Sequence, residues 1–220
     1  MRILRRLGLN SRKQSQLTRV LQALLVAIAG IGIVEGVFSI TINALISLAV
    51  TFAPSYLERD LDIVLDPALA LWITLAVFLH SFGALGPYRN IWWWDHMTHA
   101  LSSSIVAASG YIAVRALDQH SEEIHFPSKL MPVFLVAFVM AFGVVWEVIE
   151  FMTGLLGQVT GTKILTQYGL EDTMKDLLFD SAGALLVAFF GEAYLSGLVD
   201  QAVERLEKKV PDIEELLPDQ

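Results

Sequence analysis

An all-α, polytopic transmembrane helix bundle is the fold class this sequence predicts, with about six spans (five being the alternative count) and both termini cytoplasmic. Three observations lead there. Hydrophobic residues make up 55% of the 220-residue chain, and its mean hydropathy is +0.57. Charged residues are only 17%, against roughly 25% in ordinary soluble domains. The apolar residues are also gathered into stretches near the ~20 residues that carry a helix across ~30 Å of hydrocarbon. A β-barrel would show alternating ten-residue segments instead.

The first twenty residues, MRILRRLGLNSRKQSQLTRV, bring six Lys/Arg before the first apolar run. AIAG, at Ala27–Gly30, mimics a signal-peptide cleavage site. Apolar sequence continues well beyond it, however, and further long segments follow, so a retained anchor is expected. Six apolar segments can be drawn: Leu21–Phe38, Ser39–Tyr56, Pro67–Leu85, Asp95–Leu117, Met131–Leu156 and Asp172–Leu195. Between the first two only Glu35 and Gly36 suggest a turn, and a single tilted helix over Leu21–Val50 would make five spans.

Positively charged loops favour the cytoplasm, and this preference separates the two counts. Six spans with an inside N-terminus place twelve Lys/Arg inside and three outside, namely Arg89, Lys163 and Lys175; five spans give nine and six. Six spans are preferred. Residues 1–20 then form a basic cytoplasmic segment, 21–195 the transmembrane domain and 196–220 a charged cytoplasmic tail whose helix stops at Pro211. The expected location is the cell (plasma) membrane, multi-pass, with membrane lipids as partners. The chain has no basic stripe for nucleic acid. It has no cysteine either, which excludes disulfides, thiolate metal sites and cysteine nucleophiles.

Trp92, Trp93 and Trp94 fall where the outer headgroups should lie and read as interfacial anchors. Beside them the polar residues converge. Asp95 and His99 open the fourth segment, Glu147 and Glu150 (WEVIEF) close the fifth, and Asp172, Asp176 and Asp180 (EDTMKDLLFDSAGA) open the sixth. All seven share one end of the bundle, whichever way the chain is inserted. At 100° per residue Asp95 and His99 are 40° apart, with Ser102 and Ser103 near the same stripe. Asp172, Asp176 and Asp180 advance by 40° steps, with Gly183 continuing the face.

An ionised carboxylate in hydrocarbon costs from about 2.5 kcal/mol upward, and several facing one another repel unless protonated or neutralised. Lys175 and one or two histidines are too few to balance them, whereas a divalent cation would. Oxygen donors with one or two imidazoles suit Mg, Mn, Ca, Fe or Zn. The ligand candidates are Asp95, His99, Glu147, Asp176 and Asp180, and Glu150 or Asp172 is the candidate general base. The plainer reading, solvation at the membrane edge or helix capping, suits Glu171, Asp172 and His96; His96, 100° from Asp95, reads as an interfacial group or as one that supports the ligands from behind. His99 is equally readable as a hydrogen-bonded histidine inside the bundle. His80 either joins the site or touches headgroups. Glu35, Ser39, Asn43 and Ser47 form a stripe of the kind that makes interhelical hydrogen bonds.

The order DHMTH, WEVIEF, TQYGLEDTMKDLLFD and SAGA resembles the YjdF-like family of uncharacterised prokaryotic inner-membrane proteins over roughly Pro67 to Leu195. That resemblance implies a polytopic fold and carries no assigned reaction. Three functions remain open: a metal-dependent enzyme on a lipid or lipid-linked substrate, a cation- or proton-coupled transporter, and a structural or partner-binding membrane protein. No H-E-x-x-H motif is present.

Overall fold

The computed structural model describes residues 10–161 and 169–209. The basic residues of the first nine positions, Lys163 and the helix stop at Pro211 lie outside them. Helix α1, Ser11–Val34, starts where the Asn10 side chain accepts a hydrogen bond from Lys13 N at 3.0 Å. It ends at Glu35, and Gly36 takes the turn with φ +69°, a region open to glycine. Helix α2, Phe38–Val50, folds back at once. The first apolar stretch is therefore two helices, as the six-segment division requires.

After a short break at Thr51 and Phe52, α3 (Ala53–Leu61) continues the same path with Pro54 in its first turn. Helix α4, Pro67–Gly83, is capped by Asp66, whose carboxylate accepts from Ala68 N at 2.8 Å. A single turn, α5 (Pro87–Asn90), precedes the long α6, Trp94–His120. A 3₁₀ turn at Ser128–Leu130 leads into α7, Met131–Thr160, and α8 runs from Leu170 to Lys209.

Five of these stretches are long and apolar enough to cross a membrane: Ser11–Val34, Phe38–Leu61, Trp94–His120, Ser128–Val159 and Leu170–Lys208. The shorter α4 is apolar too and rises about 25 Å at ~1.5 Å per residue, close to the hydrocarbon thickness. The architecture is a polytopic helical bundle.

Helices α1, α2 and α4 pack as one group, α6, α7 and α8 as another, and α4 meets α6 between them. In the first group Ser81 Oγ lies 2.7 Å from Ser47 Oγ and 3.3 Å from the Asn43 carbonyl, the interhelical bonding expected of that stripe. Glu35 stays exposed at the turn and takes no part.

The most extensive interface joins α6 to α8 around small side chains, with Ala107, Ala184 and Tyr111 in the core beside Leu135 and Val139 of α7. A β-carbon on Gly183 would collide with Ser103 Oγ and the Ala100 carbonyl, so the two backbones cross in near contact there. At the far end α8 continues past residue 195 as unbroken helix. Gln201 bonds the Val64 backbone, and Arg205 Nη1 meets Asp62 Oδ2 at 2.8 Å, which fixes α8 to the α3–α4 linker.

Candidate metal centre

The start of α6 is pinned before any chemistry is considered. Trp94 Nε1–H donates to the Leu79 carbonyl at 3.2 Å, and Thr98 Oγ1 donates to the Asp95 carbonyl at 2.8 Å. The i, i+4 spacing then stacks His99 over Asp95 on the face turned toward α8. On α8, Asp176 and Asp180 lie about two turns and one turn before the Gly183 crossing, so the close approach of the backbones carries both carboxylates onto His99. Helix α7 closes a third side. A β-carbon on Gly143 would sit 2.7 Å from Asp180 Oδ2, so only glycine leaves room for that carboxylate.

His99 is the hub. Its Nε2 lies 3.7 Å from Asp95 Oδ1 and 3.9 Å from Asp176 Oδ1, and ligand atoms of these three residues all fall within 4.8 Å of one another. An ion with ligands at about 2.0–2.4 Å sets neighbouring ligands about 2.8–3.9 Å apart, so small side-chain adjustments close this ring on a cation. The opposite ring nitrogen, Nδ1, is 3.2 Å from Asp180 Oδ1. With Asp180 accepting from Nδ1–H, the Nε2 lone pair is turned toward Asp95 and Asp176. A carboxylate behind an imidazole fixes metal-binding histidines in this way.

Asp176 is 2% exposed, and its Oδ1 makes no hydrogen bond; Glu147 Oε1 and His96 Nδ1 are likewise buried without hydrogen-bond partners. Buried polar atoms left unpaired are unfavourable by about 1–3 kcal/mol each, more when charged. Glu147 is half satisfied, since Thr173 Oγ1 donates to its Oε2 at 2.7 Å. Trp146 Nε1–H donates to Glu150 Oε1 at 3.0 Å. Among the described residues, Asp95, Asp176 and Asp180 form ion pairs with histidines alone, because Lys175 turns outward to Glu171 at 2.7 Å. Glu147 and Asp172 are both close enough to act on the charge of Asp95 and Asp176, and Glu147 and Asp95 on that of Glu150.

Of the residues singled out in the sequence, Asp95, His99 and Asp176 come together as a triad, and Asp180 stands behind the histidine. Glu147, Glu150 and Asp172 surround the triad without entering it. Two expectations change, and of the two roles open to His96 the structure favours the one beside the ligands. His96 belongs to the site, with Nδ1 3.6 Å from Asp176 Oδ1 and its ring stacked on Phe179 at 4.6 Å. Ser102 is exposed, whereas Ser103 faces the interface. Trp92 and Trp93 are exposed as interfacial anchors should be, whereas Trp94 is packed inward and clamps α6 to α4.

His80 lies beside the site. Its Nδ1 is 2.8 Å from the Tyr88 hydroxyl, which is 3.3 Å from Thr98 Oγ1, and its ring meets Trp146 edge-on. Burial pushes the Tyr88 phenol well above its ordinary pKa, so it stays a neutral hydroxyl between the two. The sequence signal for Thr173 is its position three residues before Asp176, on the same helical face. Tyr88 carries no such signal, because it reaches the site from the α4–α6 turn.

A family described as "Predicted membrane protein (DUF2238)" matches residues 17–197. A Thermotoga maritima protein described as uncharacterized is 30% identical over 182 residues, covering 80% of this chain and 88% of its own length. No solved structure matches.

Proposed function

The chain belongs to the DUF2238 family of predicted membrane proteins, and from that premise we propose that it is a divalent-metal-dependent enzyme of the cell membrane acting on a lipid or lipid-linked substrate. The observation that carries this reading is the Asp95–His99–Asp176 triad, with the buried Asp176 Oδ1, which has no hydrogen-bond partner, directed into it. Two carboxylates and one imidazole without thiolate suit Mg, Mn, Ca, Fe or Zn.

In this reading Asp95, His99 and Asp176 hold the ion, Asp180 orients His99, and Glu147 offers Oε1 at the edge. A bound ion would lower the pKa of its water and polarise a phosphoryl or carbonyl oxygen. Glu150 or Asp172, carboxyl neighbours outside the triad, would take the proton from that water. Both termini are placed in the cytoplasm and the site at the outer leaflet, following the distribution of basic residues. The same reading takes the YjdF-like motif resemblance as kinship within this family.

The test is reconstitution in proteoliposomes made from a total membrane lipid extract, with and without divalent ion. Lipid turnover that requires the ion and falls about 10²–10⁴-fold in Glu150→Gln or Asp172→Asn supports the reading. Cation or proton flux with unchanged lipids would instead assign the carboxylates to transport.

A further inference from the structure

A cleft of about 940 Å³ runs down the bundle between α4, α6 and α8. Its walls are Trp72 of α4, Met97 and Leu101 of α6, and Leu186 and Phe190 of α8, all apolar. It begins at the candidate metal centre: His96 lines the top of the cleft with its ring on Phe179, and the Nδ1 of that same ring faces Asp176 Oδ1 at 3.6 Å. Trp92 and Trp93 border the same end and are exposed there.

Three features distinguish this cleft from the convex lipid-facing surface of any membrane helix. It has walls on three helices, its volume lies within the roughly 300–1,000 Å³ of small-molecule sites, and one end is bounded by His96, the histidine that faces the buried Asp176. From Phe179 to Leu195, both lining it, α8 rises about 24 Å at ~1.5 Å per residue, more than the ~15 Å of one leaflet's hydrocarbon. Indole rings favour the headgroup level, so the tryptophan end is where a polar head belongs and the cleft below lies at chain depth. Only an amphiphile satisfies both ends together.

We propose that this cleft holds one long, extended hydrocarbon chain of the substrate lipid, with the polar head at its His96 end. The choice of a substrate lipid rests on the function proposed above; the seating of the chain does not require the ion. His96 marks the handover, with its ring on the chain side and its nitrogen on the head side. An acyl tail and a polyprenyl chain share the chemistry the cleft selects.

The test uses the full chain in phosphatidylcholine nanodiscs with two photo-crosslinking probes, a phosphatidic acid and a polyprenyl monophosphate, each with a diazirine in its chain. Labelled residues are mapped by mass spectrometry. The expected result is labelling of Leu101, Leu186 and Phe190 at least ten-fold above Val133 of α7 and Ile33 of α1, which are exposed on outer faces. The probe that labels more strongly identifies the chain class. Leu186→Trp and, independently, Leu101→Trp should lower cleft labelling at least five-fold while Val133 labelling and bound metal stay unchanged. The wild-type pattern decides the matter even if both variants fail to fold.

Labelling spread evenly over cleft and outer faces would mean annular lipid only and would overturn the proposal. A disulfide joining two copies of Leu186→Cys protein, which has no other cysteine, together with unlabelled cleft residues, would overturn it as well, by giving the cleft to a dimer interface. His99→Ala separates the two readings: lost metal with cleft labelling intact leaves the chain site standing, and wild-type protein that takes up no metal but labels in the cleft sinks the ion reading alone.

Discussion

His99 Nδ1 and Asp180 Oδ1 stand 3.2 Å apart across the α6–α8 interface, and this contact aims the other face of the imidazole at Asp95 and Asp176. In the proposed function Asp180 acts as a positioning residue for His99, whereas the sequence suggests it as a ligand. Asp180→Ala should weaken divalent-ion affinity about 10–100-fold, the usual effect of removing a partner behind a metal-binding histidine. Asp180→Asn keeps an oxygen that accepts from Nδ1–H and should lose less. Isothermal titration of the purified variants with Mn²⁺ measures both. Equal affinity in wild type and Asp180→Ala would show that Asp180 does not position the histidine.

The close crossing at Gly183 is the packing condition for the site. A β-carbon there meets Ser103 and the backbone of Ala100 and Ser104, so Gly183→Ala should destabilise by about 1–3 kcal/mol through overpacking. At Gly30 and Gly154 a β-carbon would meet nothing within 4 Å, and alanine at either should be neutral or stabilising by up to about 1 kcal/mol. Thermal unfolding in detergent compares the three. A Gly183→Ala midpoint no lower than those of the two controls would mean that α6 and α8 do not approach so closely.

Glu147 is buried with Oε2 bonded to Thr173 and Oε1 unpaired. Glu147→Gln keeps an oxygen for Thr173 and removes the charge. In chelator it should therefore raise stability, by an amount of order 1–3 kcal/mol, and it should reduce the additional stabilisation given by divalent ion. Thr173→Val, which strips the hydrogen bond and leaves the carboxylate, should lower stability in chelator. Identical unfolding of Glu147→Gln and wild type under both conditions would show that the carboxylate is not confined as described.

The gathering of the acids is legible in the sequence because membrane length and helical period constrain them so tightly. Once each apolar stretch is a spanning helix, Asp95, Glu147 and Asp176 must share one end, and 40° steps must align Asp176 with Asp180. What periodicity cannot rank is depth within an interface. Ser102 and Ser103 differ by one residue, yet one is exposed and the other lies on Gly183, because the crossing point of α6 and α8 decides between them. The sequence leaves His96 between an interfacial and a supporting role for the same reason, since only the placement of Phe179 and Asp176 on α8 draws it inward. Trp94 has the sequence context of a third interfacial tryptophan, and only the chain path through α5 brings the Leu79 carbonyl to its ring nitrogen.

Binding of a divalent cation by Asp95, His99 and Asp176 together underlies the proposed activity, and Mn²⁺-loaded protein tests it. Elemental analysis with pulsed electron paramagnetic resonance should find one tightly held Mn²⁺ per chain coupled to a directly coordinated imidazole nitrogen. His99→Ala should abolish the nitrogen coupling, and Asp176→Asn should weaken binding by a factor of about 100 or more, in line with the several kcal/mol that one partner of a buried charge cluster carries. Saturation at about a hundred times the dissociation constant should stabilise the wild type by about 2.7 kcal/mol. Wild type and both variants holding equally little metal, with no nitrogen coupling and the same unfolding midpoint with and without the ion, would rule out a metal centre at these three residues.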